Sequence, residues 1–299
     1  MRISALAIHP LKSGAIRPVT SAPVGPAGLA GDRTWMVVDA AGQMVSARRV
    51  HRLFSIVADT VVTDPTVRTA LRLRADDGEV LDLEEPHPGT EPVPVRLFTR
   101  PWQTALPAGP VADAWIARAV GIDGLRLVWC DDPRRRSLGA EFGRPGDHTA
   151  FADGFPVTIV SEASLSQVNA WIAADAGERE AGGAGAGAVA GAAAGAVVDR
   201  AEPLPMSRFR PSVVIHGAEP FAEDSWSRIV IAGVSCRVVK GVDRCVMTTI
   251  DPQTLATGRE PVRTLARHRA WGGKTWFARH AIPDGSGTWS VGDEVEVVD

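Results

Sequence analysis

The sequence predicts a mostly β protein with some α. Short strand-like runs punctuated by Gly and Pro recur through the first half, and Asp-Asp-Gly inside one of them is a hairpin signal. Many short strands at regular spacing point to a barrel or sandwich rather than a parallel α/β sheet. At 299 residues the chain can bury one large core or two ordinary ones.

In chain order, RISALAI is a first strand, because His-Pro-Lys breaks its apolar run too early for a signal peptide. TWMVVDAAGQMVSA reads as two strands about an Ala-Ala-Gly turn, followed by FSIVADTVV, the hairpin LRLRADDGEVLDL and VPVRLF. ADAWIARAVG has helical spacing and stops at Gly121, LRLVWC is a strand, and DDPRRRSLGAEFGRPGDH is a polar, basic loop. From FPVTIVSEASLSQVNAWIAADA the pattern becomes strand then helix, with Ser161 placed to cap the helix and Ser164 in its first turn. IVIAGVSCRVVK is a hairpin and GDEVEVV a closing strand. The insert AGGAGAGAVAGAAAGAVV, Ala181 to Val198, approaches a membrane span in length but lacks the Leu, Ile and Phe that drive insertion. Its glycines also weaken a helix, so it reads as a flexible linker.

Composition excludes several function classes. Hydrophobic residues at 45% and charged residues at 22% describe a soluble globular protein, and a formal net charge of -3 argues against nucleic-acid or membrane partners. Basic charge is nearly all arginine, with lysine only at 12, 240 and 274, so a lysine within a motif carries more information than an arginine. Three scattered cysteines, Cys130, Cys236 and Cys245, rule out a disulfide framework and suit a reducing compartment, so a cytoplasmic location is expected.

Three stretches carry candidate chemistry. In KGVDRCVMTTIDP, Cys245 follows a strand through a Gly-containing loop, where Arg244 and Lys240 would favour the thiolate. A buried cysteine acting as a small hydrophobe is the competing reading, and residue chemistry leaves both open. HPLKSG places Lys12 and Ser13 at a strand end, offering an ammonium and a hydroxyl to an oxyanion; it lacks the spaced glycines of a P-loop. AGDRTW adds Arg33, which its neighbour Asp32 could equally hold in an ion pair. SRFRPSVVI puts Arg210 at a strand entrance, fixed by Pro211.

In order, HPLKS, GDRTW, DGFPVTIVSEASL, FRPSVVI, DSW, DRCVMTTIDP and VGDEVEV resemble the MOSC proteins, relatives of the molybdenum cofactor sulfurase C-terminal domain, preceded by their N-terminal β-barrel domain. The resemblance implies a barrel-like N-terminal domain over residues 1–120 and a β-barrel MOSC domain over 121–299. It implies a molybdenum–pterin (molybdopterin) cofactor, with Cys245 as metal ligand and Lys12, Ser13, Arg33, Ser161, Arg210 and Ser212 at positions that hold the pterin and its phosphate. It also implies reduction of N-hydroxylated compounds such as amidoximes, with electrons from a separate flavin or iron–sulfur protein. Asp251 is a candidate proton donor or pocket organiser, or equally an Asp-Pro turn residue. Val242 stands where relatives often have a second cysteine, His280 near where many have a tyrosine, and Ser212 where they have asparagine. Two rivals remain: sulfur transfer through a persulfide on Cys245, and a non-enzymatic cofactor carrier. A complete sulfurase adds a pyridoxal-phosphate desulfurase domain, for which this chain is too short.

Overall fold

Side chains alternate across a strand, and here both faces of the central strands are buried. In the Val213–His216 strand, Val213 and Ile215 enter a core with Ile3, Leu6, Ile8 and Ile159, while Val214 enters another with Val160, Val168 and Ile172. The Trp35–Val38 strand behaves alike: Trp35 and Val37 face Trp115, Ile116 and Leu127, while Met36 and Val38 face Val95, Val128 and Phe151. Burial on two faces is why VVI and WMVV read as unbroken apolar runs.

The structure, a computed structural model, describes residues 1–183 and 202–298. It is mostly β, with α1 (Pro110–Val120), α2 (Glu162–Gly183) and α3 (Val262–His268) as its α-helices among the described residues. The main sheet runs in the order Val295–Val297, Arg228–Ile231, Val234–Asp243, Lys274–Pro283, Val157–Ser161, Val213–His216, Arg2–Ile8 and Arg17–Val19, with Ala270–Trp271 paired to Lys274–Pro283. Its pairs are antiparallel except Val157–Ser161 with Val213–His216, which are parallel with α2 between them in the chain. A second sheet joins Trp35–Val38, Arg126–Trp129, Gln103–Pro107 and Val93–Val95. Hydrogen bonding crosses residue 120 in both directions. Arg126–Trp129 pairs with Trp35–Val38, and Arg2–Ile8 pairs with Val213–His216. Among the described residues no helix is long and apolar enough to cross a membrane.

Local chemistry sets several boundaries. Gly121 ends α1 in the left-handed conformation (φ 77°), its N–H donating to the Ala117 carbonyl at 2.8 Å. FSIVADTVV is not one strand: His51–Ser55 is a 3₁₀ turn and only Val57–Asp59 is extended. The Asp59 carboxylate there accepts from Arg17 at 2.6 Å and from the Thr63 hydroxyl at 2.9 Å, drawing the chain into a turn. After Trp35–Val38, Asp39 accepts from the N–H groups of Ala41 and Gln43, both at 2.9 Å, and the expected return strand shrinks to isolated bridges. Of the Ala181–Val198 insert, the first residues close α2 through Gly183, and the linker expectation for the rest lies outside the described residues.

Candidate active site

Backbone hydrogen bonds stitch three loops into one rim. The Lys12 N–H donates to the Trp35 carbonyl at 2.7 Å, the Arg33 N–H to His9 at 2.7 Å, and the Phe151 N–H to Arg33 at 2.9 Å. Ser13, Arg33 and Arg210 all adopt left-handed backbone, with φ of 68°, 52° and 50°. Non-glycine residues hold that conformation only where their surroundings over-determine it, and such strain clusters at functional sites. All three line a cleft of about 380 Å³ together with Lys12 and Cys245.

The cleft is strongly cationic: among the described residues, nine Lys and Arg side chains and two carboxylates line it. Lys12 is 4% exposed and donates to the Phe151 carbonyl at 2.7 Å and to the Asp153 carboxylate. Burial lowers its pKa to about 8 despite the opposing pull of Asp153. Desolvation would raise Asp153, but Lys12, Arg48 and Arg33 outweigh it and hold the carboxyl well below its usual range. Arg33 pairs with Asp32, and its other nitrogen reaches the Arg210 carbonyl at 3.4 Å. Arg210 lies 5.2 Å from the centre of the Phe54 ring, and burial and Arg33 pull it well below the ordinary guanidinium range. Beneath this rim His9 is kept neutral: burial, Arg33 and Arg210 push it down to about 3 although it contacts Asp32.

Cys245 follows the Val234–Asp243 strand, and its carbonyl caps the next turn by accepting from the Thr248 N–H at 3.1 Å and hydroxyl at 3.0 Å. Burial, aided by Asp131 and Asp132, pushes Cys130 up to about 12, and burial and Asp284 do the same for Cys236. Arg244 lies beside the packed Phe209–Phe277 pair, 5.5 and 5.7 Å from their ring centres, and donates to the carbonyls of Phe277 at 2.8 Å and Phe209 at 2.9 Å. One of its terminal nitrogens, like Nε of Arg48, is buried with no hydrogen-bond partner among the described residues.

Three expected site residues stand outside the cleft lining. Ser161 is an N-cap: its hydroxyl accepts from the Ser164 N–H at 3.0 Å, and the Ser164 hydroxyl donates to buried Glu223 at 2.7 Å. Ser212 lies behind the wall, its hydroxyl accepting from the Thr158 N–H at 3.2 Å. Asp251 accepts from the N–H groups of Gln253 and Thr254, both at 2.9 Å, and lies 3.6 Å from Arg208, whose Nε holds the Thr248 carbonyl at 2.9 Å. Desolvation would raise Asp251, but those N–H groups and Arg208 lower it, which favours its carboxylate form at this turn. Residues missed from sequence are Arg48, Asp153 and Arg208. The only signal available for Asp153 was its place in the DGF loop.

Buried guanidinium donors without partners cost about 1–3 kcal/mol each, and an oxyanion of the right shape would offset that cost. A thiol beside them adds a soft metal ligand. These residues therefore fit an anionic group that carries a thiophilic metal. Among the described residues, no cluster of three or more His, Cys, Asp or Glu side chains stands together as a metal site.

Comparison with known proteins agrees along the whole chain. The MOSC domain matches residues 146–296 and the MOSC N-terminal beta barrel domain residues 1–123. The chain is similar to the human mitochondrial amidoxime-reducing component 1, 28% identical over 309 residues that make up 98% of this chain and 82% of that one. It is also similar to a molybdenum cofactor sulfurase from Solanum lycopersicum, 24% identical over 98% of this chain but 35% of that protein. A Bacillus subtilis crystal structure aligns over 98% of this chain at 10% identity with a TM-score of 0.41. The two matched domains account for nearly all of the sequence, from the Lys12 loop to the strand that closes the main sheet: the chain belongs to the MOSC domain family.

Proposed function

We propose that the protein is a molybdenum-cofactor oxidoreductase that reduces N-hydroxylated compounds such as amidoximes, with electrons from a separate flavin or iron–sulfur protein. One observation carries the reading: a free thiol, Cys245, opens into a cleft whose cations far outnumber its carboxylates. The similarity to amidoxime-reducing components supports it. Cys245 would ligate the metal, and Lys12, Ser13, Arg33 and Arg210 would hold the pterin and its phosphate. When bound, the group supplies a redox-active Lewis-acid metal. The chain itself fixes these cations on strained, hydrogen-bonded loops, so no reorganisation is needed when an anion arrives. Asp251 acts through Arg208, holding its guanidinium at the cleft wall. The three free cysteines fit a reducing compartment, the cytoplasm in this reading, although these relatives are named mitochondrial.

The test is metal and pterin content together with amidoxime reduction, using protein from a cofactor-competent host and a chemical reductant. Wild type should carry stoichiometric molybdenum and turn over an amidoxime, and Cys245→Ser should fold but lose both. Full metal content and full activity in Cys245→Ser would sink the ligand assignment. Bound molybdenum without turnover would favour a carrier, and persulfide on Cys245 without molybdenum would favour sulfur transfer.

A further inference from the structure

One wall beside the cleft is not used by the cofactor reading. It is the hairpin joining Ala270–Trp271 to Lys274–Pro283, turned by Gly272 and Gly273 at φ of 60° and 72°. Left-handed backbone at both turn positions gives a tight, defined loop. The hairpin presents Trp271, 52% exposed, beside Trp276, with ring centres 6.0 Å apart and planes inclined by 28°. The pair is built rigidly. The Trp276 indole N–H donates to the Trp271 carbonyl at 3.0 Å, and the Arg269 guanidinium lies 4.9 Å from the Trp271 ring centre while paired with Asp224. Gly241, on the strand that leads to Cys245, lets the Trp276 ring lie against the backbone, since a Cβ there would come within 2.8 Å of it.

This hairpin borders a second hollow of about 340 Å³, lined by Trp271 and Thr275 and sharing Asp243, Arg244 and Lys274 with the main cleft. The two spaces are therefore neighbours across the residues that lead into Cys245. A fixed, half-exposed indole offers a flat apolar face at little entropic cost, and aromatic rings recognise such faces by offset stacking. We infer that Trp271, buttressed by Trp276, is a substrate subsite that takes the planar ring of an aromatic or heteroaromatic compound whose reacting group extends into the main cleft. This assignment rests on the reductase reading for the chemistry, though not for the binding.

Two probe pairs test it separately. With electron donor supplied, kcat and KM are measured for benzamidoxime and for acetamidoxime, which has no ring. Without donor, binding of benzamide and acetamide is measured by calorimetry and ligand-observed NMR. Trp271→Ala should raise KM for benzamidoxime and weaken benzamide binding by about 2- to 12-fold, the range for one aromatic pair. The values for acetamidoxime should not move, and Trp271→Phe should restore most of the loss. Benzamide binding that depends on Trp271, with no amidoxime turnover, would keep the subsite and reject the reductase. Turnover with both amidoximes equally affected by Trp271→Ala, or untouched by it, overturns the subsite and leaves the reductase standing. So does benzamide binding that is indifferent to Trp271.

Discussion

Raising the pH should weaken anion binding in the cleft through Lys12. Its ammonium is almost wholly buried, and burial brings its pKa from 10.5 to about 8. An anion that needs the charged form should therefore lose affinity above pH 8, by up to about tenfold per pH unit. Stability should move the other way. Between pH 8 and 10.5 the unfolded chain keeps the lysine proton while the native state releases it, so stability rises with pH across that window, by up to about 3 kcal/mol. Sulfate is a suitable probe because its charge is constant over this range. Calorimetric titrations from pH 6.5 to 9.5 should show the decline for wild type, whereas Lys12→Arg, which keeps its charge, should be flat. Lys12→Ala should bind about 10- to 150-fold more weakly below pH 8, the loss of one charge-assisted hydrogen bond. A flat wild-type profile, or Lys12→Ala binding as tightly as wild type, would refute the role of Lys12.

Ser161→Ala should cost about 1–2 kcal/mol in urea unfolding, because it removes the cap of α2, and should leave sulfate affinity unchanged. Weakened sulfate binding at unchanged stability would return Ser161 to the anion site. Iodoacetamide at pH 8 should alkylate Cys245 in the folded protein and spare Cys130 and Cys236, whose thiols burial holds at about 12. Peptide mass spectrometry reads this directly, and equal labelling of Cys236 would contradict its burial.

Much of the fold was legible because its elements carry local signals. Gly121 marks the end of α1, the Asp-Asp-Gly turn joins Leu71–Arg74 to Val80–Leu83, and Ser161 begins α2. The misread strands failed where a side chain competes with the ladder. Asp59 and Asp39 each gather donors from residues two to four positions onward, and nothing in FSIVADTVV or DAAGQ says which donors will be near. The crossing of residue 120 was hidden for a different reason. Pairing of Arg2–Ile8 with Val213–His216 spans more than two hundred residues, and burial on both faces can be met by any apolar partner.

At the site, legibility followed rarity. Lys12 is one of three lysines and Cys245 one of three cysteines, so each stood out, and the structure brings them to one cleft. Arg48 and Arg208 are equally part of that cleft, but they are lost in a chain that uses arginine as its general cation. Ser161 shows the converse. A serine before a helix satisfies a capping rule and a ligand expectation with the same residue, and only the donor facing its hydroxyl separates them. Asp153 had no more than its place in the DGF loop to mark it. Its function in the fold is to meet Lys12, 141 residues earlier, and Arg48, 105 residues earlier, while Arg100 and Arg136 grip its carbonyl at 3.0 and 3.2 Å. A carboxylate held among so many cations sets how much positive charge the cleft presents to a ligand. The anion site is therefore defined by the balance of groups that folding brings together, which no single motif encodes.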